Sequence, residues 1–334
     1  MAVLVTGGAG YIGSHAVLEL AARDEKLTVL DDLSTGFPWA VAPEAELVVG
    51  DVGDQALVEG LVRAQGITEI IHFAAKIVVP ESVTDPLGYY LGNTVKTRAL
   101  FEAAIRGGVK RIIFSSTAAV YGEPGVDVIG ETLPLNPINP YGRSKLMSEW
   151  MLADTACAHG IAYTVLRYFN VAGADPAGRS GQSSRQATHL IKVASQAAAG
   201  ERAGLEIFGT DYPTPDGTCI RDYVHVTDLA RAHVAALARL RAGGGNLTLN
   251  CGYGRGYSVK EVVDVVKRVS GVDFPVKLSP RRAGDPACLV SMADKVRAEL
   301  GWTPAFDDLD TIVRHALAWE KSLAVRNVAP QPAA

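Results

Sequence analysis

The chain has 334 residues, of which 48% are hydrophobic and 20% charged, and its formal net charge is −4. A chain of this size and composition can bury one large α/β core, or one medium domain beside a smaller one. Because it is weakly acidic and has no long runs of lysine or arginine, it is a poor candidate for binding nucleic acid or an anionic membrane. An anionic ligand would need individual arginines.

Cysteine spacing and apolar run length exclude several further classes. Cys157, Cys219, Cys251 and Cys288 are too far apart in sequence for a zinc ribbon or a redox dithiol. We therefore predict reduced thiols and no metal site. Strand-like residues follow Met1 directly, so we expect no signal peptide. No apolar run approaches the roughly 20 residues of a membrane span, and we expect a cytoplasmic protein.

Short apolar runs alternate with helix-like segments through the first half of the chain. The runs predict strands buried on both faces, at residues 2–6, 27–30, 46–50, 70–74, 111–115 and 163–167. Helical spacing occurs between them, as at 12–23, 55–65 and 86–107. This alternation predicts an α/β fold with a Rossmann-type, doubly wound parallel sheet and right-handed crossovers. Ligands of such sheets bind beyond the carboxyl ends of the strands.

The pattern changes after Tyr168. A polar, glycine-rich stretch at 170–186 comes first, then a strand at 247–251 and helices at 188–199, from 258 onward and at 308–322. Ser258 and Glu261, three residues apart, predict a capping box. We predict an NAD-binding Rossmann domain over residues 1–170, rejoined by part of 222–252. A smaller C-terminal α/β substrate domain would cover 171–325, with a disordered tail at 326–334.

A glycine-rich turn joins the first strand to the first helix. Gly8, Gly10 and Gly13 fit the pattern G-x-G-x-x-G, and Gly7, Gly10 and Gly13 fit the related G-x-x-G-x-x-G. Glycine lets the backbone approach a pyrophosphate closely, and the helix N-terminus attracts its charge. The pattern alone is weak, but a strand before it and a helix after it are the context that dinucleotide binding requires.

Two aspartates close the next strands. Asp31 lies close to the expected interval of about 20 residues, where a carboxylate can bond the ribose hydroxyls of adenosine. It would repel a 2′-phosphate, and no arginine follows directly, so we expect NAD rather than NADP. Asp51 could contact adenine. Either aspartate could instead be an ordinary polar strand end.

Tyr141 and Lys145 lie four residues apart at a predicted helix start, with Asn139 as N-cap and Pro140 in the first helical position. A phenol titrates near pH 10, too high for a base at neutral pH. A nearby ammonium and a positive nicotinamide ring would lower that pKa. Tyr141 could then take a proton from a substrate alcohol while hydride leaves to the cofactor. Hydroxyl side chains at 115–117 could bond the reacting oxygen, although a surface helix pair and a polar turn are the plain alternatives.

Together these features resemble the extended short-chain dehydrogenase/reductase superfamily, and within it the UDP-glucose 4-epimerase family, over about residues 1 to 322. The family-specific stretches are 6–13, 72–75, 115–122, 140–149, 167–173 and 207–226. The resemblance implies that Tyr141 deprotonates the 4-hydroxyl of a UDP-hexose while hydride moves to bound NAD. The 4-keto sugar then turns over and is reduced from its other face. Thr117 would assist proton transfer, Lys145 would lower the pKa of Tyr141, and the protein would be a homodimer.

The resemblance also implies two sets of binding residues. Besides Thr117, Tyr141 and Lys145, the dinucleotide would contact Gly7, Gly10, Tyr11, Ile12, Gly13, Asp31, Asp32, Leu33, Ser34, Thr35, Gly36, Asp51, Val52, Phe73, Ala74, Ala75, Lys76, Asn93 and Phe169. Besides Thr117 and Tyr141, the UDP-sugar would contact Asn170, His189, Leu190, Glu206, Ile207, Phe208, Arg221, Arg282, Asp285 and Leu289. The guanidinium forks of Arg221 and Arg282 match a diphosphate, although either arginine alone could be a surface residue.

The chain departs from the family at three of these positions. Ile77 stands where a ribose-facing lysine is often found, which makes Lys76 the candidate to replace it. His189 stands where some members carry asparagine. Leu289 falls at a position thought to gate the sugar pocket. Because leucine is smaller than tyrosine, we expect some tolerance for N-acetylated sugars.

Other activities remain open at this stage. The resemblance implies that a 4,6-dehydratase would carry an acid and a base directly after Thr117. Ala118 and Ala119 stand there, and neither can move a proton, which argues against this activity. A 4-epimerase of another UDP-sugar (an N-acetylhexosamine, pentose or uronate) and a plain alcohol dehydrogenase are alternatives. A non-catalytic dinucleotide sensor is the alternative from a different class, but it has no need of Thr117, Tyr141 and Lys145 together.

Overall fold

A computed structural model gives the structure of residues 1–184, 188–282 and 285–326. Its strands are β1 (Ala2–Thr6), β2 (Lys26–Asp31), β3 (Glu46–Val49), β4 (Ile67–His72), β5 (Arg111–Thr117), β6 (Val128–Ile129), β7 (Ala162–Tyr168), β8 (Asn170–Ala172), β9 (Leu205–Phe208), β10 (Ile220–His225), β11 (Leu247–Cys251), β12 (Gly256–Ser258), β13 (Val276–Ser279) and β14 (Cys288–Ser291). Its helices are α1 (Tyr11–Ala21), α2 (Gln55–Gln65), α3 (Val79–Thr84), α4 (Pro86–Tyr89), α5 (Lys96–Gly107), α6 (Pro140–His159), α7 (Leu190–Ala198), α8 (Val226–Arg241), α9 (Val259–Ser270), α10 (Asp294–Leu300) and α11 (Leu309–Arg326).

Seven parallel strands form the main sheet, in the order β11-β7-β5-β4-β1-β2-β3. The apolar residues of each inner strand alternate between two apolar clusters, one on each face. Along β1, Val3 and Val5 join one cluster while Leu4 joins the other. Helix α1 packs against α8, and α2 packs against α5. The predicted Rossmann-type fold is confirmed.

Two of the six strand predictions need correction. Strand β4 ends at His72, so Phe73 and Ala74 lie beyond it, at the sheet edge where ligands bind. Strand β3 is not buried on both faces, because Glu46 and Val49 are exposed. The reason is topological, since β3 is the last strand in the order.

The predicted helix at 86–107 is interrupted by one looser turn. Residues Tyr90–Val95 form a π-helical segment between α4 and α5. Such turns displace side chains from the regular helical positions and occur often at functional sites. Here the segment carries Asn93 inward, where it is buried.

Two smaller sheets are formed by residues of the second half together with β6 from the first half. One has the order β12-β10-β14-β6, with β8 also paired to β10, and the other pairs β13 with β9. The capping box is confirmed, since the Ser258 side chain accepts from the Glu261 amide while Glu261 accepts from the Ser258 amide. Helix α11 extends to Arg326, past its predicted end. Residues 327–334 of the predicted tail lie outside the described residues. Among the helices described, none is long and apolar enough to cross a bilayer.

Candidate active site

The glycine turn after β1, here called the cradle, packs too closely on neighbouring backbone for Gly7 or Gly13 to carry a side chain. Gly7 has φ +71°, which favours glycine, and a Cβ there would lie 2.5 Å from the Ala74 nitrogen. A Cβ on Gly13 would lie 2.1 Å from the Gly7 carbonyl oxygen. Helix α1 starts directly after Gly10, so its free N–H groups face this turn. The cradle therefore fits a pyrophosphate at the helix N-terminus.

Asp31 lies at the end of β2, beside the cradle. Its Oδ2 accepts a hydrogen bond from the Ala9 amide at 2.9 Å, and its Oδ1 accepts from the Leu33 amide at 2.9 Å. Burial raises the pKa of Asp31 above its usual value. Each carboxylate oxygen can accept a second bond, so the group remains suited to ribose hydroxyls.

The loop that follows Asp31 is shaped by its own contacts. Asp32 accepts from the Ser34 amide at 2.9 Å and from the Ser34 hydroxyl at 2.6 Å. Gly36 backs onto Ala9, where a Cβ would come within 2.9 Å of the Ala9 backbone. Asp32, Leu33, Ser34, Thr35 and Gly36 thus form the loop beside the cradle, and the Asp32 carboxylate holds that loop.

Asp51 follows strand β3, which ends at Val49, and directly precedes Val52. Its Oδ2 lies 2.5 Å from the Lys96 ammonium, and its Oδ1 accepts from the Gly53 amide at 2.8 Å. Partial burial would raise the pKa of Asp51, but these two bonds hold it below its usual value. Asp51 is therefore a charged, half-exposed acceptor at this edge.

Asn93 clamps the backbone that follows β4. Its Oδ1 accepts from the Lys76 amide at 2.8 Å, and its Nδ2 donates to the Lys76 carbonyl at 2.9 Å and to the Ser144 hydroxyl at 3.0 Å. With both amide protons engaged, Asn93 positions the 73–76 segment and helix α6. The Lys76 ammonium is exposed and pairs with Glu81 at 3.3 Å and Asp85 at 3.5 Å. These carboxylates therefore compete for the ammonium that would contact the ribose of the dinucleotide.

The three predicted catalytic residues lie where β5 and α6 meet. Helix α6 begins as predicted, with the Asn139 side chain accepting from the Gly142 amide at 2.9 Å. Tyr141 and Lys145 are both buried, one turn apart on the same face. The Thr117 hydroxyl lies near enough to the Tyr141 phenol to favour its ionised form. The Lys145 ammonium donates to the Ser115 carbonyl at 2.8 Å.

Burial dominates the acid–base properties of this group. Burial raises the pKa of Tyr141, and the nearby phenols of Tyr168 and Tyr89 add to the rise. The Thr117 hydroxyl lowers this pKa, but by less than the rise. Burial also lowers the pKa of Lys145 to about 8. The protein groups around Tyr141 therefore do not acidify it by themselves, although we expected Lys145 to do so.

The expected sugar-binding residues fall into two groups. Asn170, His189 and Leu190 line a cleft of about 440 Å³ that also contacts Tyr11, whose hydroxyl donates to the Gly173 carbonyl at 2.7 Å. This cleft joins the dinucleotide side to the start of α7. Burial lowers the pKa of His189, which is therefore a neutral wall of the cleft at pH 7.

The second group lies on β9, β10 and β14 and on the segment that precedes β14. Arg221 pairs with Asp285 at 3.2 Å, and the Arg282 guanidinium lies 3.8 Å from the Phe208 ring centroid. Leu289 is paired in register with Arg221. In the same group, Glu206 pairs with Lys277 and the Ser279 hydroxyl, and Ile207 is buried.

Several residues at the centre were not predicted from the sequence. Tyr121 is one of them, and it packs in one cluster with the expected residues Phe169 and Leu289. Tyr168 is partly buried near Tyr141, and its position at the end of β7, next to Phe169, is the signal that could have indicated it. The sequence indicates Ser115 only as one of the three consecutive hydroxyl side chains at 115–117. His233 gave no signal, because in sequence it is one more position on the buried face of α8.

The described residues contain no group of three histidine, cysteine, aspartate or glutamate side chains placed to hold a metal ion. The site offers hydroxyl and ammonium groups where β5 meets α6, and guanidinium groups on β10 and before β14.

Comparison with known proteins places this geometry in a family. Residues 3–252 match the model of the NAD dependent epimerase/dehydratase family. The UDP-glucose 4-epimerase of Azospirillum brasilense is 56% identical over 321 residues, which cover 96% of this chain and 92% of that protein. The crystal structure of UDP-glucose 4-epimerase from Brucella ovis in complex with NAD superposes with a TM-score of 0.92 at 48% identity, covering 95% and 97% of the two chains. The UDP-Glc/GlcNAc 4-epimerase of Campylobacter jejuni gives 0.84 at 49% identity, covering 96% and 99%.

Proposed function

Since this chain belongs to the NAD dependent epimerase/dehydratase family, it is an NAD-dependent enzyme interconverting UDP-glucose and UDP-galactose, and we propose that Thr117, Tyr141 and Lys145 perform its proton transfers. The observation that carries the activity is identity of 56% to a UDP-glucose 4-epimerase over nearly the whole chain. The residue roles rest on the geometry where β5 meets α6.

The cradle and Asp31 hold NAD at the carboxyl ends of the strands. We assign the pyrophosphate to the turn from Gly7 to Gly13 and the adenosine ribose to Asp31. NAD held there would supply the acceptor for hydride from C4 of the sugar and the donor that gives the hydride back to the opposite face. Net redox change is zero, so the cofactor stays bound through turnover.

Tyr141 takes the proton of the 4-hydroxyl and later returns it. The Thr117 hydroxyl lies near the phenol and would supply a second hydroxyl to the reacting oxygen. Because burial raises the pKa of Tyr141 more than any other cause, positive charge is needed beside the phenol for it to lose its proton during the reaction. The Lys145 ammonium is the protein's own cation on that helix face, and Ser115 holds it.

Arg221 and Arg282 bind the diphosphate in this proposal. Arg221 is 9% exposed and pairs with Asp285. A bound phosphate would therefore replace part of the bonding between Arg221 and this carboxylate. Arg282 lies over Phe208, whose ring offers an apolar face for a base. A planar guanidinium matches a phosphate with two parallel bonds, which suits both positions. Asn170 and Leu190 then border the sugar.

A 4-epimerase that also accepts UDP-N-acetylhexosamines is a second candidate. Leu289 is partly buried against the cluster that contains Phe169. A leucine there leaves more space than an aromatic residue would. The relative from Campylobacter jejuni is named a UDP-Glc/GlcNAc 4-epimerase.

We also propose a homodimer formed through α4, α5 and α6. Large apolar side chains are exposed on α4, on the π-helical segment before α5 and on α6, with Leu87 at 78%, Leu91 at 54% and Trp150 at 56%. Soluble monomers rarely expose large contiguous apolar patches. Sedimentation of the pure protein should give twice the mass of one chain, and Leu91→Glu should lower that mass. A single-chain mass for the unmodified protein would contradict the dimer.

Two organisational proposals complete this assignment. We propose that the chain divides near residue 170, with the segment from α8 to β11 belonging to the NAD-binding domain, since β11 pairs with β7. We also propose a cytoplasmic location, which suits the four free cysteines.

The activity is tested with the protein as purified and no added NAD. Incubation with UDP-galactose should give an equilibrium mixture with UDP-glucose, followed by NMR, without growth of absorbance at the reduced-nicotinamide band. Absorbance that grows in proportion to substrate would identify a dehydrogenase instead. Retained NAD without any conversion of the sugar would identify a dinucleotide sensor.

A further inference from the structure

A buried histidine lies beneath the catalytic residues without belonging to any expected set. His233 is on α8, and its side chain is fully buried. Its Nδ1 lies 2.9 Å from the Leu229 carbonyl oxygen, one turn earlier on the helix. Its Nε2 lies 3.0 Å from the Ser115 hydroxyl oxygen at the end of β5. Two separate elements therefore meet at this ring.

The partners of His233 fix its tautomer. A carbonyl oxygen only accepts, so Nδ1 carries the proton and donates to Leu229. Burial lowers the pKa of His233 to about 4, and the ring is neutral at pH 7. Nε2 is then an acceptor, and the Ser115 hydroxyl donates its single proton to it in a hydrogen bond. The bond therefore has one direction, from Ser115 to His233.

Ser115 connects this bond to the catalytic lysine. Its hydroxyl is held by His233, and its carbonyl accepts from the Lys145 ammonium at 2.8 Å. The Ser115 hydroxyl also lies 3.4 Å from the Tyr168 hydroxyl, which is beside Tyr141. One serine thus links α8 to both the lysine and the phenols of the site.

The imidazole ring also supports the walls of the site. Its centroid lies 4.7 Å from that of Phe73, an expected dinucleotide contact, and 6.2 Å from that of Tyr168. His233 therefore contacts residues at the carboxyl ends of β4, β5 and β7.

We propose that His233 is a positioning residue of the epimerase reaction, acting through Ser115 to hold the Lys145 ammonium beside Tyr141. The proposal rests on the function proposed above, in which Lys145 supplies positive charge to the phenol. It assigns to α8 a role in setting the pKa of Tyr141. A misplacement of about 1 Å in such an arrangement can lower turnover about 100-fold.

The expected change has a defined sign. Turnover rises with pH as Tyr141 loses its proton, and a close ammonium lowers the pH at which this occurs. If Lys145 moves away, the rising limb of kcat against pH shifts to higher pH. The other titratable groups that face Tyr141 or Lys145 are Tyr89, Tyr168, Glu149 and His72. All four stay in place in the variants below.

Two substitutions separate the two bonds of the ring. His233→Asn keeps a donor near Leu229 but is too short to reach Ser115. His233→Gln is long enough to offer Ser115 an acceptor. We expect the asparagine variant to lose about 10- to 100-fold in kcat and to show the upward shift in its pH profile. The glutamine variant should recover much of both, with NAD retained in each.

Ser115→Ala provides the second arm, because it removes the hydroxyl and keeps the carbonyl that binds Lys145. The proposal predicts a loss similar to that of His233→Asn, and no further loss in the double variant, since both act through one bond. Leu237→Ala, buried one turn later on α8, is the control for lost stability. It should lower the unfolding temperature without shifting the pH profile.

The outcomes distinguish this proposal from the function on which it rests. An unshifted pH profile in His233→Asn, or additive losses in the double variant, would overturn the positioning role. Lys145→Met serves as the reference for the function itself. If Lys145→Met turns over normally, the proposed role of Lys145 fails, and the positioning role fails with it. If only Lys145→Met is impaired, the function stands and His233 is structural.

Discussion

Glu149 and Arg167 form a buried ion pair, with the guanidinium Nη2 2.6 Å from the carboxylate Oε2. Both side chains are 6% exposed. The carboxylate also accepts from the Ser116 hydroxyl, and Arg167 donates to the Tyr121 hydroxyl at 2.9 Å. This network ties α6, one turn after Lys145, to β5 and β7. It therefore holds the catalytic helix on the sheet.

Removing one partner of this pair should be strongly destabilising. Glu149→Ala leaves the Arg167 guanidinium buried without its carboxylate, and we expect a loss of about 3–5 kcal/mol in the free energy of unfolding. Urea denaturation measures this loss. Asp273→Ala is the control, because it breaks an ion pair with Lys267 in which the aspartate is 88% exposed, and it should cost less than about 1 kcal/mol. Equal losses in the two variants would contradict the role of the buried network.

The glycine cradle predicts a specific loss of cofactor. Gly13→Ala places a Cβ 2.1 Å from the Gly7 carbonyl oxygen and 2.8 Å from the Gly8 Cα, and neither backbone atom can give way cheaply. The variant should be purified without most of its NAD, as measured in the supernatant after denaturation. Gly60→Ala, whose Cβ meets nothing within 4 Å, should keep its NAD and gain up to about 1 kcal/mol in α2. Full NAD content in Gly13→Ala would refute the cradle.

Buried histidines predict a loss of stability in mild acid. Burial lowers the pKa of His15 and His233 to about 4 and that of His72 to about 3. Because these folded values lie below the unfolded value of about 6.5, their contribution is complete above pH 6.5 and falls as the pH drops toward 4. By pH 5 each costs about 2 kcal/mol.

Carboxyls whose pKa is raised by burial oppose this trend, among them Asp31 and Asp222. Burial raises the pKa of Asp222 to about 6, so between pH 6 and 4 the folded state binds a proton that the unfolded state does not. At pH 5 this returns about 1 kcal/mol, less than the three histidines remove. Urea midpoints should therefore be lower at pH 5 than at pH 7. An equal or higher midpoint at pH 5 would contradict the buried neutral state of these rings.

Leu289 predicts which sugars the enzyme accepts. We expect turnover of UDP-N-acetylgalactosamine, because a leucine leaves more space than a tyrosine at this position. Leu289→Tyr should lower kcat/KM for that sugar about 10- to 100-fold more than for UDP-galactose. Leu278→Tyr is the control, since this leucine is 59% exposed on β13 and should change neither value. No turnover of the N-acetylated sugar by the unmodified protein would remove the hypothesis.

Local sequence chemistry was enough to predict the cradle and the start of α6. Gly7, Gly13 and Asn139 act within a few residues of their positions in sequence, through backbone conformation and capping. The same applies to the capping box of α9. Such features are readable because their partners are encoded beside them.

Contacts between distant segments could not be predicted in this way. His233 meets Ser115 across 118 positions, and Glu149 meets Arg167 through the packing of α6 on the sheet. The burial of β3 also depended on strand order, which an apolar run does not reveal. Strands of two or three residues, such as β6 and β8, are too short for a period to show.

The direction in which Lys76 points illustrates a further limit. Its position beside Ile77 made it the candidate for a missing ribose contact, but the ammonium pairs with Glu81 and Asp85. Sequence spacing places a side chain near a site without fixing its partner. The structure adds the competing carboxylates.

The turnover of Tyr141→Phe with UDP-galactose tests the central claim most directly. The substitution removes one hydroxyl and keeps the ring that packs edge-on against Tyr89, so NAD content and unfolding temperature should hold. General acid–base catalysis by the phenol predicts a fall in kcat of roughly 10²–10⁴. A kcat equal to that of the unmodified enzyme, with NAD still bound, would contradict the assignment of Tyr141 as the proton-transfer group.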